Sequence, residues 1–391
     1  MLTKNIYLNN FQKFKSNKKI KNIFRELKEN YYSGKFKLLN SLSRNYQYSY
    51  NKKLIKKYKK YKKFRIIGIG GSILGAESIY CFLKRKIKKN FYFVNNLDPK
   101  LIEFKNNKDL VNIIISKSGN TLETVSNSNF LLKKNKNNIF ITENKKSYLS
   151  ELANKIKSEI IEHKNYIGGR FSVLSEVGML PAELMDLDER KFKRFNHLIE
   201  NKVFVNQLIN NVESILNLVD KKKHVSIILN YDANSENFFK WYQQLVAESL
   251  GKKSKGILPM ISTMPKENHS LMQLYLDGPK NFFYTFFSVR KESINRINKK
   301  TLLKSHSYLG NKNLEDIINS QKEATEKIFR IKKIPFRSFE VKNRNEESLG
   351  ELFCFFILET IILGKALKVN PFDQPSVELI KKETKKILTK N

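Results

Sequence analysis

Glu248 stands three residues after Leu245, four after Gln244 and seven after Trp241 in the stretch NSENFFKWYQQLVAESLGKK (234–253). At 3.6 residues per turn it therefore shares a face with Phe238, Trp241, Tyr242, Leu245 and Ser249. Gly251 is a natural C-cap, which puts this carboxylate in the last turn, where the helix dipole disfavours negative charge. Burial and dipole both disfavour the charged form, which suits a glutamate to act as a general base. A buried carboxylate answering a lysine would show the same spacing.

Two more side chains have the chemistry to serve such a base. Arg170 follows two glycines in YIGGRFSVLSEVGMLPAEL (166–184), where it can reach a developing oxyanion or a phosphate. His269, in PKENHSLMQL (265–274), sits in a polar stretch before an apolar helical pattern and could shuttle protons. Each also has a plainer reading, as a surface ion-pair partner and as a capping histidine. A Pro-bracketed turn in KVNPFDQPSVELIKKETKK (368–386) carries Asp373 and Gln374 and restarts as a basic helix with Lys381.

Upstream, two stretches read as strand, loop and helix. IIGIGGSILGAESIY (66–80) breaks into Gly68, Gly70 and Gly71 before Ser72, without the lysine of a nucleotide P-loop and with Ile73 where a dinucleotide fingerprint needs glycine. IIISKSGNTLET (113–124) offers Ser116, Lys117, Ser118 and Thr121, and Asn120 with Glu123 resembles a capping box. Four phosphate donors at the positive end of a helix dipole suit a phosphomonoester. Hydroxyls are also common caps. Two such loops on neighbouring strands strengthen the ligand reading, because α/β ligands sit at strand carboxyl ends.

The elements that must position these groups alternate in type. FRIIGIGG, FYFVNN, LVNIIIS and NNIFIT are short apolar runs separated by amphipathic stretches, the pattern of a parallel sheet flanked by helices. A second series holds HVSIILNY (224–231), FFYTFFSV (282–289) and an apolar helix over 347–367. Between them, residues 187–220 show Phe192, Phe195, Leu198 and Ile199 at helical spacing. The division expected is an N-terminal helical segment at 1–50, a first α/β domain at 51–200 and a second at 201–391.

The chain has 391 residues, 40% of them hydrophobic, enough for two cores. Cys81 and Cys354 lie far apart among apolar neighbours and read as buried thiols; no Cys/His spacing resembles a zinc site. The N-terminus has no apolar signal-like region, and LFCFFILETIILG is interrupted by Glu359 and too short to span a bilayer, so a cytoplasmic protein is expected. A net charge of +37 raises nucleic acid as a partner, but the lysines are spread along the chain among Asn and Ile. Even the densest run, NKKLIKKYKKYKKFR (51–65), reads as a solvated helix face, and nucleic acid ranks last.

In order, GIGGSILG, SKSGNTLET, GGRFSVLSEVGMLPA, QQLVAESLGK, HSLMQL and NPFDQPSVE resemble the phosphoglucose isomerase family, over about residues 64 to 385. The resemblance implies two sugar-isomerase (SIS-type) αβα domains and a homodimer with active sites at the subunit interface. It implies catalysis without metal or organic cofactor. On it, Ser72, Ser116, Lys117, Ser118 and Thr121 hold a sugar phosphate, with Gly71 giving close backbone approach. Glu248 moves a proton between C1 and C2 through a cis-enediol, and Arg170 stabilises the enediolate. His269 and Lys381 assist ring opening, and Gln244 and Gln374 contact substrate. Whether His269 serves its own subunit or the neighbour is left open. The chain departs from the family at TMPKENH, where Asp-Gln-His or Gly-Gln-His is usual, and at Ser376, where glycine is usual. An isomerase of a related sugar phosphate, such as mannose 6-phosphate, and a non-catalytic sugar-phosphate sensor are the competing readings.

Overall fold

The computed structural model describes residues 1–11, 18–99, 109–132, 137–290 and 295–390. Its strands are β1 (Ile6–Asn9), β2 (Lys63–Ile67), β3 (Asn90–Val94), β4 (Leu110–Ile115), β5 (Asn138–Thr142), β6 (Glu159–Glu162), β7 (Val225–Asn230), β8 (Leu258–Thr263), β9 (Phe282–Val289) and β10 (Phe336–Val341). One sheet has the order β3-β2-β4-β5-β6 and is parallel throughout. The other has the order β1-β10-β9-β7-β8 and is parallel except for β1.

The apolar runs explain the layers. β4 and β5 are buried at every position, as strands covered by helices on both faces must be. The connecting helices alternate with the strands: Leu74–Phe82 follows β2, Leu122–Leu131 follows β4, Glu236–Leu250 follows β7 and Glu346–Ala366 follows β10. The last of these is buried almost throughout, and a single apolar cluster runs from Phe64 and Ile113 of the first sheet through Phe238 and Trp241 to Phe339 and Phe353. Lys52–Lys59 forms the expected helix, capped by Asn51, with Ile55 and Tyr58 buried and its lysines outside.

Two features differ from the sequence expectation. The segment before residue 51 is not only helical, because β1 pairs antiparallel with β10 at the edge of the second sheet. Its burial follows from Ile6 and Leu8, and Thr3 and Asn5 anchor it by donating to Glu351 at 2.6 and 3.1 Å. Cys354 is buried, but Cys81 is only half-buried and accepts from Asn237 at 3.0 Å. Among the described residues no helix is long and apolar enough to cross a membrane.

The apolar helix could not carry Glu359 at its centre unless the charge were answered. Arg337 of β10 makes that pair, with neither side chain exposed. Arg337 also donates to Thr285 at 2.9 Å and Asn211 at 2.8 Å, and Tyr242 donates to Glu359 at 3.2 Å. This network ties the helix Glu236–Leu250 to β9, β10 and two further helices. Removing one partner strands a buried charge, so Glu359→Ala lowers unfolding free energy by about 3–5 kcal/mol in urea titration.

Beyond β6, His163 is buried, its Nδ1 within 3.1 Å of the Lys164 carbonyl and its Nε2 without a partner among the described residues. Burial pushes the imidazole down to about 4, and Lys117 adds to the effect. The unfolded chain takes up this proton near pH 6.5 and the folded one only near pH 4, so this contribution is present above pH 6.5 and lost as pH falls to 4. Stability measured across that window should fall by about 3 kcal/mol from this group. In His163→Gln that component of the pH slope disappears.

Candidate active site

The first sheet reverses direction between β2 and β4: the chain leaves β2 toward β3 on one side, and leaves β4 toward β5 on the other. Such a switch point opens a crevice at the strand carboxyl ends. Both glycine- and serine-bearing loops end there.

After β2 the chain turns through Gly70–Ser72 into the helix Leu74–Phe82. Gly71 is required by another backbone: a Cβ there would lie 2.2 Å from the carbonyl carbon of Gly169. The turn that carries Ser72 is thereby pressed onto the turn that carries Arg170, and Ser172 Oγ donates across them to Gly71 O at 3.4 Å and to Gly169 O at 2.7 Å. Gly70 has φ +55 and lies against Gln244, whose Nε2 would meet a Cβ at 2.8 Å. Ser72 is half-buried.

After β4, three hydroxyls gather at the start of the helix Leu122–Leu131. Thr121 Oγ1 lies 2.9 Å from Ser116 Oγ and 3.4 Å from Ser118 Oγ. Thr121, not Asn120, is the N-cap, and no side chain caps the helix. The expected capping box does not form, because Asn120 Oδ1 accepts instead from Tyr148 N at 2.9 Å. The first N–H groups of the helix consequently stay available to an anion. Lys117 does not join the hydroxyls directly: its Nζ donates to Asn165 O at 2.7 Å and lies 3.7 Å from Glu143. Burial pulls this ammonium below its ordinary range and Arg170 contributes repulsion, while Glu143 opposes both.

Arg170 and Glu248 meet at 2.9 Å, with the arginine side chain 2% and the glutamate 24% exposed. The helix brings the carboxylate where its spacing placed it, in the last turn of Glu236–Leu250. Arg170 Nη1 donates to Glu248 Oε1 and, at 3.0 Å, to Gln374 Oε1. Its Nη2 donates to Pro371 O at 2.6 Å and Asp373 O at 3.2 Å, and its Nε to Ser249 Oγ at 2.8 Å. Burial draws the guanidinium below its ordinary value, against the pull of Glu248 and Asp373. Gln244 Nε2 donates to the second carboxylate oxygen at 2.9 Å, leaving Gln244 Oε1 buried without a partner among the described residues.

His269 and Lys381 are not brought into this cluster within the single chain. His269 is exposed at the end of the turn Lys266–Asn268. Lys381 is exposed on the helix Val377–Leu388 and pairs with Glu378 at 2.7 Å. Gln374, by contrast, reaches Arg170 although its residue is exposed.

Two contributors were not singled out for the site from the sequence. Trp241 Nε1 donates to Arg170 O at 3.2 Å, and Ser249 accepts from Arg170. Their signal was available in the helical stripe: an indole and a hydroxyl on the same face as Glu248 each need a polar partner when buried. No group of three or more His, Cys, Asp or Glu able to hold a metal ion occurs among the described residues.

Residues 53–391 match the family described as Phosphoglucose isomerase. The chain is 33% identical to a probable glucose-6-phosphate isomerase of Methanococcus maripaludis, over 93% of this chain and 86% of that protein. It is 34% identical to the glucose-6-phosphate isomerase of Methanocaldococcus jannaschii, over 84% and 85%. Among solved structures, a hypothetical protein of Thermus thermophilus superposes with a TM-score of 0.83 at 22% identity, covering 94% of each chain. A glucose-6-phosphate isomerase of Chlamydia trachomatis does so with a TM-score of 0.70 at 18% identity, covering 86% of this chain and 72% of that one. A fold of two mainly parallel sheets, a buried guanidinium paired with a carboxylate, and a family match over residues 53–391 agree: this chain belongs to the phosphoglucose isomerase family.

Proposed function

We propose that the chain interconverts glucose 6-phosphate and fructose 6-phosphate, the isomerase step of glycolysis and gluconeogenesis, in the cytoplasm. The observation that supports this most directly is the Arg170–Glu248 pair at 2.9 Å, in a chain that also has an uncapped helix start with three clustered hydroxyls at its switch point. The phosphate binds at Ser116, Ser118 and Thr121, with Ser72 on the facing turn and Lys117 supplying positive field. Glu248 then removes the proton alpha to the carbonyl and returns it to the neighbouring carbon through a cis-enediol. As the carboxylate is neutralised, negative charge passes to the enediolate oxygen, and the Nη1 donor released by Glu248 follows it. Gln244 keeps Glu248 aimed, and Gln374 contacts the sugar. Neither metal nor organic cofactor enters these steps.

The division into sugar-isomerase domains at 51–200 and 201–391, after the segment 1–50, belongs to the same reading, with β1 assigned to the second sheet. So does a homodimer. The helix Val377–Leu388 buries no residue, and Val377, Ile380 and Ile387 recur at helical spacing on its exposed surface. A second copy packing there gives Lys381 a site to serve, and His269 and Lys381 assist ring opening at that interface.

Purified protein given fructose 6-phosphate should yield glucose 6-phosphate in a coupled assay, and Glu248→Gln should lower kcat by about 10²- to 10⁴-fold. Equal turnover by the variant removes Glu248 as the base. Binding of the sugar phosphate with no turnover supports a non-catalytic sensor instead, and mannose 6-phosphate in the same assay defines scope. In sedimentation, the unmodified chain should be dimeric and Ile380→Glu monomeric; a variant that stays dimeric removes this helix from the interface.

A further inference from the structure

Five hydrogen bonds hold the Arg170 guanidinium, and they divide by the kind of acceptor. The Nη1 bonds go to Glu248 and Gln374, the two side chains assigned to the reaction and the substrate. Those from Nη2 go to backbone carbonyls of the turn at residues 371–373, which is itself fastened to the chain just beyond the catalytic helix by Lys252 and Asp373 at 2.8 Å. The remaining bond, from Nε, goes to Ser249 Oγ at 2.8 Å, and Ser249 is fully buried. Among the described residues, Ser249 is therefore the one side chain that hydrogen-bonds the guanidinium without being committed to the chemistry, while the Phe171 ring lies against it with its centroid 5.2 Å from Cζ.

Its place in the sequence matters. Ser249 follows Glu248 on one rigid helix, so a single element sets both the carboxylate and the Nε anchor. Rotation of the guanidinium about its long axis would carry Nη1 away from Glu248 and break the Nε bond at the same time. On the isomerase reading, we propose that Ser249 is a positioning residue that holds Nη1 of Arg170 at the point where the enediolate oxygen forms. Ser249 itself does not touch substrate. Without its hydroxyl the cation remains, held by the four Nη bonds, but the Nε anchor that fixes its rotation is gone.

The consequence falls on the transition state and spares ground-state binding, because the phosphate is held elsewhere, at Ser116, Ser118 and Thr121. Ser249→Ala should lower kcat roughly 10- to 100-fold, as a misaimed catalytic group does, with KM unchanged within about twofold. Two ligands separate this from a general structural defect. A five-carbon phosphorylated aldonohydroxamate, whose planar anionic head copies the enediolate, should bind Ser249→Ala about 10- to 100-fold more weakly. Sorbitol 6-phosphate, which has no such oxygen, should bind it within about twofold of the unmodified protein. Ser249→Cys keeps the volume with a weaker acceptor and should fall between, which also serves if the alanine variant does not fold. Equal weakening of both ligands, or unchanged kcat and affinities, overturns the assignment. Absence of turnover by the unmodified chain overturns the isomerase reading instead.

Discussion

A guanidinium left only 2% exposed is the constraint around which the site is built. An arginine in the interior is tolerated only if its charge is answered and every donor has an acceptor. Arg170 meets both conditions with groups from two separate parts of the chain: Glu248 and Ser249 on one helix, and the carbonyls at 371 and 373 with the Gln374 side chain on one turn. The indole of Trp241 holds its backbone, and the Gly71–Gly169 contact lets its turn lie against the turn of Ser72. None of these partners comes from the first sheet's own helices after β4 and β5. The site therefore exists only when both sheets are folded together, which the continuous core ensures.

The charges around Arg170 favour one kind of ligand. Glu248 lies at the negative end of its helix and is held there by the cation. Across the crevice, the helix Leu122–Leu131 presents its positive end with no side-chain cap, and Lys117 stands close enough to Arg170 for their charges to oppose each other. An anion placed at that helix start would satisfy the open N–H groups.

The parts of this arrangement that sequence made legible are those fixed by local periodicity. Helical spacing placed Glu248, and strand-loop-helix patterning placed the hydroxyls, because both depend on residues within a few turns of one another. What escaped depends on distant partners. The strand β1 is four residues long and pairs with β10 more than three hundred residues later, so no local pattern announces it. Asn120 looked like a cap but was claimed by Tyr148 N from the next helix. Gly71 packs against Gly169 of a distant turn, a contact no local pattern announces. Ser249 was visible as one member of a stripe, yet its acceptor role depends on an arginine seventy-nine residues upstream. His269 and Lys381 were recognised by motif, and one chain alone leaves them in solvent.

The departures from the family pattern are absorbed by the fold at a distance from the carboxylate. Glu267 could have set a negative charge beside His269. Its carboxylate instead turns back to the end of β8, accepting from Ser262 Oγ at 2.6 Å and Thr263 N at 3.1 Å. It thereby stitches the loop to the sheet, and Lys266 is exposed. Ser376 replaces a glycine at φ −67 and ψ −26, a right-handed conformation that any residue adopts without strain. Neither change asks the backbone for freedom that only glycine has, and neither alters an acceptor of Arg170. The substitutions lie where the chain turns at the surface, away from the five hydrogen bonds that hold the buried cation.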